Sequence, residues 1–269
     1  MRCTHAHTLS HNACPAAVVL PSVRGGTAHM ARGERRRSLT VVGGARGEVE
    51  RYASLLPDAG GSVLVLGVAE GRLAEALVRR GVPVTGVDPS LRMLVRAEET
   101  RGGLPPEMQG RLQLLRADLR SLRMSQKFAA VFAPRDAVAL VATRGDLEAL
   151  FITAREHLQP GASFAFDLSL PPQRWLFPDD ADPHEGVQPE RAVFTPHLHS
   201  RRTRQGHGDI HRLLLRHFTA GEVDHALGAA DLESLTRDRD FEGRPWEPGA
   251  DRLVVVAQAR SGAPPPSRS

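Results

Sequence analysis

The 269-residue sequence predicts an α/β domain: a doubly wound, mostly parallel seven-stranded sheet closed by a C-terminal antiparallel hairpin and carrying a small inserted lid. Three observations predict it. Short apolar runs of strand length alternate with helical periods over about a hundred residues, which is the pattern of successive βα units. The first run meets its helix through a turn of small residues, Gly67-Val68-Ala69-Glu70-Gly71, and the next run ends in an acid, Asp88. Two further strand-like runs close the chain, separated by a loop rich in Gly and Pro rather than by a helix.

Taken in order, Glu48 to Leu56 places Val49, Tyr52, Leu55 and Leu56 on one face of an amphipathic helix leading into the sheet. Val63 to Leu66 is uniformly apolar, as a parallel strand buried on both faces must be. Arg72 to Arg80 has helical spacing, Gly81 stops it, and Val82 to Val87 forms a second strand ending at Asp88. Ser90 is suited to cap a helix through Glu99, whose apolar set is Leu91, Met93, Leu94 and Ala97. A loop from Arg101 to Gly110 precedes a third strand, Leu112 to Ala117, which runs into Asp118-Leu119. Phe128 to Phe132 is the fourth strand, Asp146 to Leu158 a helix broken by Gln159-Pro160-Gly161, and Ser163 to Leu168 the fifth strand.

The last third begins with a Pro-, His- and Arg-rich excursion, so residues 171–217 are expected to form an inserted lid. Ile210 to Phe218 reads as a strand, and Thr219 with Glu222 has capping-box spacing for a helix. Leu232 to Leu235 and Leu253 to Ala257 then supply the closing antiparallel pair. The domain so defined spans residues 46–260, between an arm (1–45) and a tail (261–269), both expected to be disordered on composition.

Charge narrows the partners. Residues 1–38 hold six arginines and one glutamate, while the rest of the chain carries 29 basic and 30 acidic residues. The basic pI therefore belongs to the arm, and a specific nucleic-acid partner is not expected. No apolar run approaches a membrane span, so no membrane partner is expected either. The only cysteines, Cys3 and Cys14, lie in the arm, which excludes a disulfide-stapled fold and suits a cytoplasmic location. Together with His5, His7 and His11 they match no closed zinc module, so no metal site is expected.

The chemistry is concentrated at the first strand–turn–helix–strand unit. Glycine lets the turn approach a ligand closely, the helix start presents unpaired N–H groups, and an acid ending the second strand can accept from both hydroxyls of a ribose. The unit therefore favours a nucleoside ligand, although a tight strand–helix connection without a ligand also fits these residues. A dinucleotide fingerprint requires G-x-G-x-x-G, but Gly71 follows Ala69 by two residues and Arg72 occupies the third glycine's position.

The G-x-A-x-G turn resembles the glycine loop of class I S-adenosylmethionine-dependent methyltransferases. Asp88-Pro89-Ser90-Leu91-Arg92-Met93-Leu94 resembles that family's continuation, Arg116 to Arg120 (RADLR) its third-strand end, and Arg155 to Leu168 (REHLQPGASFAFDL) its helix–LxPGG–strand feature. These matches fall in the right order over residues 60 to about 170. The resemblance implies a Rossmann-like fold, S-adenosyl-L-methionine as cofactor, and methyl transfer to an O, N or C atom of a small-molecule acceptor. It further implies that Gly67, Val68, Ala69 and Gly71 line the methionine and ribose portion, that Asp88 and the adjacent Pro89 meet the ribose, and that Met93 sits near the adenine. Asp118 and the Leu119 amide would bind the adenine edge, with Ala133 facing the sulfonium end.

The chain departs from the family pattern at Val65, Ala69, Glu70 and Ala129, which leaves open a degenerate relative that binds a ligand or partner without catalysis. The acceptor-side candidates are weak ones. His217, at the end of a strand, ranks ahead of His197, His199 and His211 as a base, and Arg135 is placed to orient an anionic acceptor. The sequence leaves the acceptor and the oligomeric state open.

Overall fold

The computed structural model describes residues 18–19, 47–58, 60–170, 198–205 and 209–260. The clustered cysteines and histidines of the arm, the tail 261–269, and residues 171–197 of the expected lid, His197 among them, lie outside the described residues. Among the described residues, ten strands and six α-helices run in the order β1 (Val18–Val19), α1 (Glu48–Ala53), β2 (Val63–Leu66), α2 (Arg72–Arg79), β3 (Val84–Asp88), α3 (Leu91–Gly102), α4 (Pro106–Gln109), β4 (Leu112–Arg116) and β5 (Phe128–Ala133). A 3₁₀ turn at Ala137–Leu140 follows, then α5 (Arg144–His157), β6 (Leu158–Ser169), β7 (Leu198–Gln205), β8 (Asp209–Arg216), α6 (Ala220–Ala229), β9 (Leu232–Asp238) and β10 (Arg252–Ala259).

The main sheet has the order β1-β4-β3-β2-β5-β6-β10-β9. Strands β4 to β6 are mutually parallel, while β10 runs antiparallel to both β6 and β9. The expected seven strands are thus present with their reversed terminal pair. The eighth, β1, comes from the arm and pairs antiparallel with β4 through Val18↔Arg116 and Val19↔Leu115. Strands β7 and β8 form a separate two-stranded ribbon inside the expected insertion.

Side-chain alternation on β2 accounts for the two cores. Leu64 and Leu66 enter one apolar layer with Phe128, Phe151, Phe164 and Phe166, while Val63 and Val65 enter the other with Tyr52, Leu77 and Phe132. Every residue of β2, β3 and β5 is buried, as strands covered on both faces require.

Caps set the helix limits. The Ser90 hydroxyl accepts from Met93 N at the start of α3, and Thr143 with Asp146 and Thr219 with Glu222 complete reciprocal capping boxes on α5 and α6. Two further elements differ from their sequence reading. Pro106 opens a short helix, α4, within the expected loop. Strand β6 begins directly at Leu158, and the Gln159-Pro160-Gly161 step is a bulge within it: Phe128 pairs with Leu158, but Ala130 already pairs with Ser163. Gly161 takes φ 75°, so the breaker residues widen the strand instead of ending it.

Candidate active site

The sequence-predicted residues meet at the carboxyl edge of the parallel strands, around the point where β3 and β5 flank β2 on opposite sides. There the strand order reverses, which is where open α/β sheets collect ligands. Gly67 leaves β2 at φ 78°, and a Cβ there would lie 2.7 Å from the Ala137 Cβ and 3.8 Å from Leu119 Cδ1. Glycine is therefore demanded twice, by the left-handed backbone and by the close approach of the turn after β5. Ala69 holds φ 49° without that freedom, a strain of about 1 kcal/mol.

The strained turn is tied down by Asp88, which is 5% exposed. Its Oδ2 accepts from Ala69 N at 3.0 Å and its Oδ1 from Ser90 N at 2.9 Å. Burial raises this carboxyl's pKa, opposed by the two backbone donors and reinforced by nearby Glu70. Each oxygen keeps acceptor capacity beyond its one backbone partner. The amides of Gly67, Val68, Ala69 and Gly71 all have partners within the β2–β3 unit. This turn consequently offers shape and an acidic acceptor, not a ring of N–H donors for a pyrophosphate.

Around it, Pro89 is exposed, Met93 half-buried on the first turn of α3, Leu119 buried beside Gly67, and Ala133 buried at the end of β5. Asp118 reaches the same edge with both carboxylate oxygens accepting from Arg120, whose Nη1 also donates to Asp146 Oδ1 at 2.6 Å. That arginine, followed by burial acting in the opposite sense, holds the Asp118 pKa below its ordinary value. The expected adenine acceptor is thus shared with a guanidinium.

Glu70, the acid inside the glycine turn, does not stand alone. Its Oε1 accepts from Arg135 Nη1 at 2.6 Å, joining the turn after β2 to the exit of β5. Burial pushes this carboxyl up, but Arg135 outweighs it and the net shift is downward, so Glu70 stays ionised. Arg135 is therefore already paired through Nη1, and an anionic acceptor would share its guanidinium with Glu70.

Sequence reasoning assigned no role to the group behind Arg135. Arg135 and Asp136 are consecutive left-handed residues, φ 57° and 59°, and neither is glycine. Such strain, about 1–2 kcal/mol per residue, persists only where the surroundings impose it. Here β6 imposes it: Arg135 N donates to Asp167 Oδ1 at 2.8 Å, and Asp136 Oδ1 accepts from Ser169 N at 2.5 Å. Asp167 is fully buried and also accepts from Tyr52 Oη at 2.8 Å and Arg252 Nη1 at 2.5 Å. Burial pushes its pKa up to about 6 against the pull of Arg252, and the same burial with Asp167 alongside raises the Tyr52 phenol well above its usual value. The available signals were an acid near the end of an apolar strand, Phe164 to Leu168, and the chain's single tyrosine.

His217 follows β8 directly and is half-buried, with Nδ1 3.3 Å from the Ser169 carbonyl. The structure thereby brings it to the carboxyl end of β6, beside the Arg135–Asp136 step. His199 and His211 lie on β7 and β8, and their side chains are outside the described residues. No metal-binding group of three or more His, Cys, Asp or Glu occurs among the described residues. No described helix is long and apolar enough to cross a membrane.

Residues 63–161 match a family model described as a methyltransferase domain. No curated protein matches the chain. Among solved structures, the CcbJ methyltransferase from Streptomyces caelestis superposes with a TM-score of 0.63 at 22% identity, covering 80% of this chain and 88% of its own. The glycopeptide N-methyltransferase MtfA complexed with S-adenosyl-L-methionine gives 0.60 at 17% identity, with coverage of 81% and 88%. DesVI from Streptomyces venezuelae gives 0.53 at 21% identity, with coverage of 79% and 90%.

Proposed function

We propose that this chain, whose residues 63–161 match a methyltransferase-domain family model, is a class I S-adenosylmethionine-dependent methyltransferase that methylates a small-molecule acceptor at O, N or C by in-line displacement. The observation that carries the reading is Asp88: a buried carboxylate with acceptor capacity to spare, held at the switch point by the strained turn it stabilises. A vicinal diol is the ligand feature that such an acceptor suits. The residues present fit the cofactor on this count. Arg135 also offsets one feature against it, the negative charge of Glu70 in the glycine turn.

When bound, S-adenosylmethionine supplies an electrophilic methyl group. In this reading Asp88 and Pro89 hold the ribose, and Gly67, Val68, Ala69 and Gly71 line the neighbouring portion. Met93, Asp118 and Leu119 border the adenine, and Ala133 borders the reacting end. Asp118 takes part by sharing its oxygens between Arg120 and the adenine amino group. On the acceptor side, the Nδ1–H of His217 donates to the Ser169 carbonyl, so that Nε2 is the atom that takes a proton from the acceptor. Holding acceptor and cofactor together and excluding water supply much of the rate. Both cysteines lie in the arm, and this reading places the enzyme in the reducing cytoplasm.

MtfA, by its name, N-methylates a glycopeptide. The reading extends to this chain only the general case of a small polar acceptor. Incubating the protein with isotopically labelled S-adenosylmethionine and a panel of small amines, phenols and hydroxy compounds tests it. A product one methyl heavier is the expected result. Binding of cofactor without transfer to any acceptor class would favour the non-catalytic alternative, for which the four departures from the family pattern are the motive.

A further inference from the structure

We propose that Asp167 is a positioning residue for the glycine turn, acting through the backbone of Arg135 and the Arg135–Glu70 ion pair. The inference rests on the reading that this turn contains the cofactor, but its geometry stands on four observations. Asp167 is wholly buried and collects donors from three separate segments: Tyr52 on α1, Arg135 N at the exit of β5, and Arg252 on β10. A buried carboxylate that only needed neutralising would be served by Arg252 alone. Its Oδ1 instead fixes the amide of a residue in a left-handed conformation that arginine does not adopt by preference. The Arg135 side chain then crosses to Glu70, the residue between the two tight positions Ala69 and Gly71.

The second strained residue is held from the same strand. Asp136 is gripped by the backbone and hydroxyl of Ser169 from the same strand, so both members of the left-handed step take their geometry from β6. If only packing were at issue, glycine at 135 or 136 would meet the turn's requirement without strain. Arginine at 135 trades that ease for a guanidinium aimed at the glycine turn. Acids and bases facing the group are Tyr52 and Glu48 on α1, Arg135 and Asp136 after β5, and Arg252 on β10.

Backbone amide exchange on the full chain, read residue by residue, tests this in wild type, Asp167→Asn, Glu70→Gln and the double variant. Asp167→Asn is expected to lower the protection of the Arg135 amide and of the Ala69 and Gly71 amides by about tenfold, the loss of one charge-assisted hydrogen bond. In the Glu70→Gln background the same substitution is expected to free Arg135 without further effect on the turn, because the connecting ion pair is already broken. Tyr52→Phe, which strips one donor and keeps the ring, supplies the same comparison should Asp167→Asn not fold. Affinity for S-adenosylhomocysteine is expected to fall about tenfold in each single variant and no further in the double. An unchanged turn in Asp167→Asn, or equal losses in both backgrounds, overturns the proposal. A wild type that binds no S-adenosylhomocysteine defeats the cofactor reading instead, while the exchange data still decide the coupling.

Discussion

Asp88 and Asp167 sit near the ends of β3 and β6, on opposite halves of one sheet edge, and they are held in opposite ways. Asp88 is fixed by two backbone amides, at Ala69 and Ser90, both within 19 residues of it along the chain. Asp167 is fixed by Tyr52, Arg135 and Arg252, which are 115, 32 and 85 residues distant. The first carboxylate retains capacity for a ligand. The second is buried and holds three protein donors, two on Oδ1 and one on Oδ2. One sheet edge thus divides into a half that presents acceptors and a half that is internally tied, with Arg135–Glu70 as the link between them.

Variants that break this contrast differ in size. In the proposed reading Asp88→Ala removes two hydrogen bonds to ribose hydroxyls, each worth about 1.5–3 kcal/mol to a charged acceptor, so affinity for S-adenosylhomocysteine should fall about a thousandfold, below what calorimetry detects. Unfolding of that variant should remain cooperative by thermal melting. His217→Ala should lower kcat about a hundredfold with the cofactor KM unchanged, as expected of a group that moves only the acceptor's proton. Steady-state kinetics with a competent acceptor check this, and a loss confined to KM would contradict it.

Tyr52→Phe deletes one donor to the buried carboxylate and should cost about 1–2 kcal/mol in chemical denaturation. The pH dependence sharpens the same half. The Asp167 carboxyl titrates at about 6 in the folded chain, whereas an unfolded aspartate titrates near pH 3.9. In the window between, the folded chain holds a proton that the unfolded chain has released. This group's contribution to stability is therefore full below the unfolded value and lost as pH rises towards 6. A carboxyl ¹³C titration should place the midpoint near 6, and a midpoint near the ordinary value would show that the side chain is not buried as described. Ala69→Gly is the smallest change: relief of the left-handed alanine and the added freedom of the unfolded chain nearly cancel, leaving stability within about 1 kcal/mol by thermal melting.

The same contrast explains what the sequence disclosed. Strands β2 and β3, the turn between β2 and α2, the Ser90 cap and the Thr219–Glu222 box are made by residues close in the chain, so spacing alone revealed them. The Arg120 fork on Asp118 was equally local, but no spacing rule reports that a neighbouring arginine folds back onto an acid. The Tyr52–Asp167–Arg252 group requires α1, β6 and β10 to be in place before its members are neighbours, and no window of sequence contains it. The bulge in β6 was hidden for a different reason: Pro and Gly signal an interruption without specifying whether pairing resumes.

The central claim is that the edge around Asp88 receives an adenosyl ligand through its ribose. Calorimetric titration of the wild-type chain and of Asp88→Ala with S-adenosylhomocysteine and with NAD tests it most directly. One-to-one binding of S-adenosylhomocysteine to wild type is expected, with no measurable heat for Asp88→Ala and none with NAD for either protein. Undiminished affinity in Asp88→Ala, or binding of NAD alone, would contradict it.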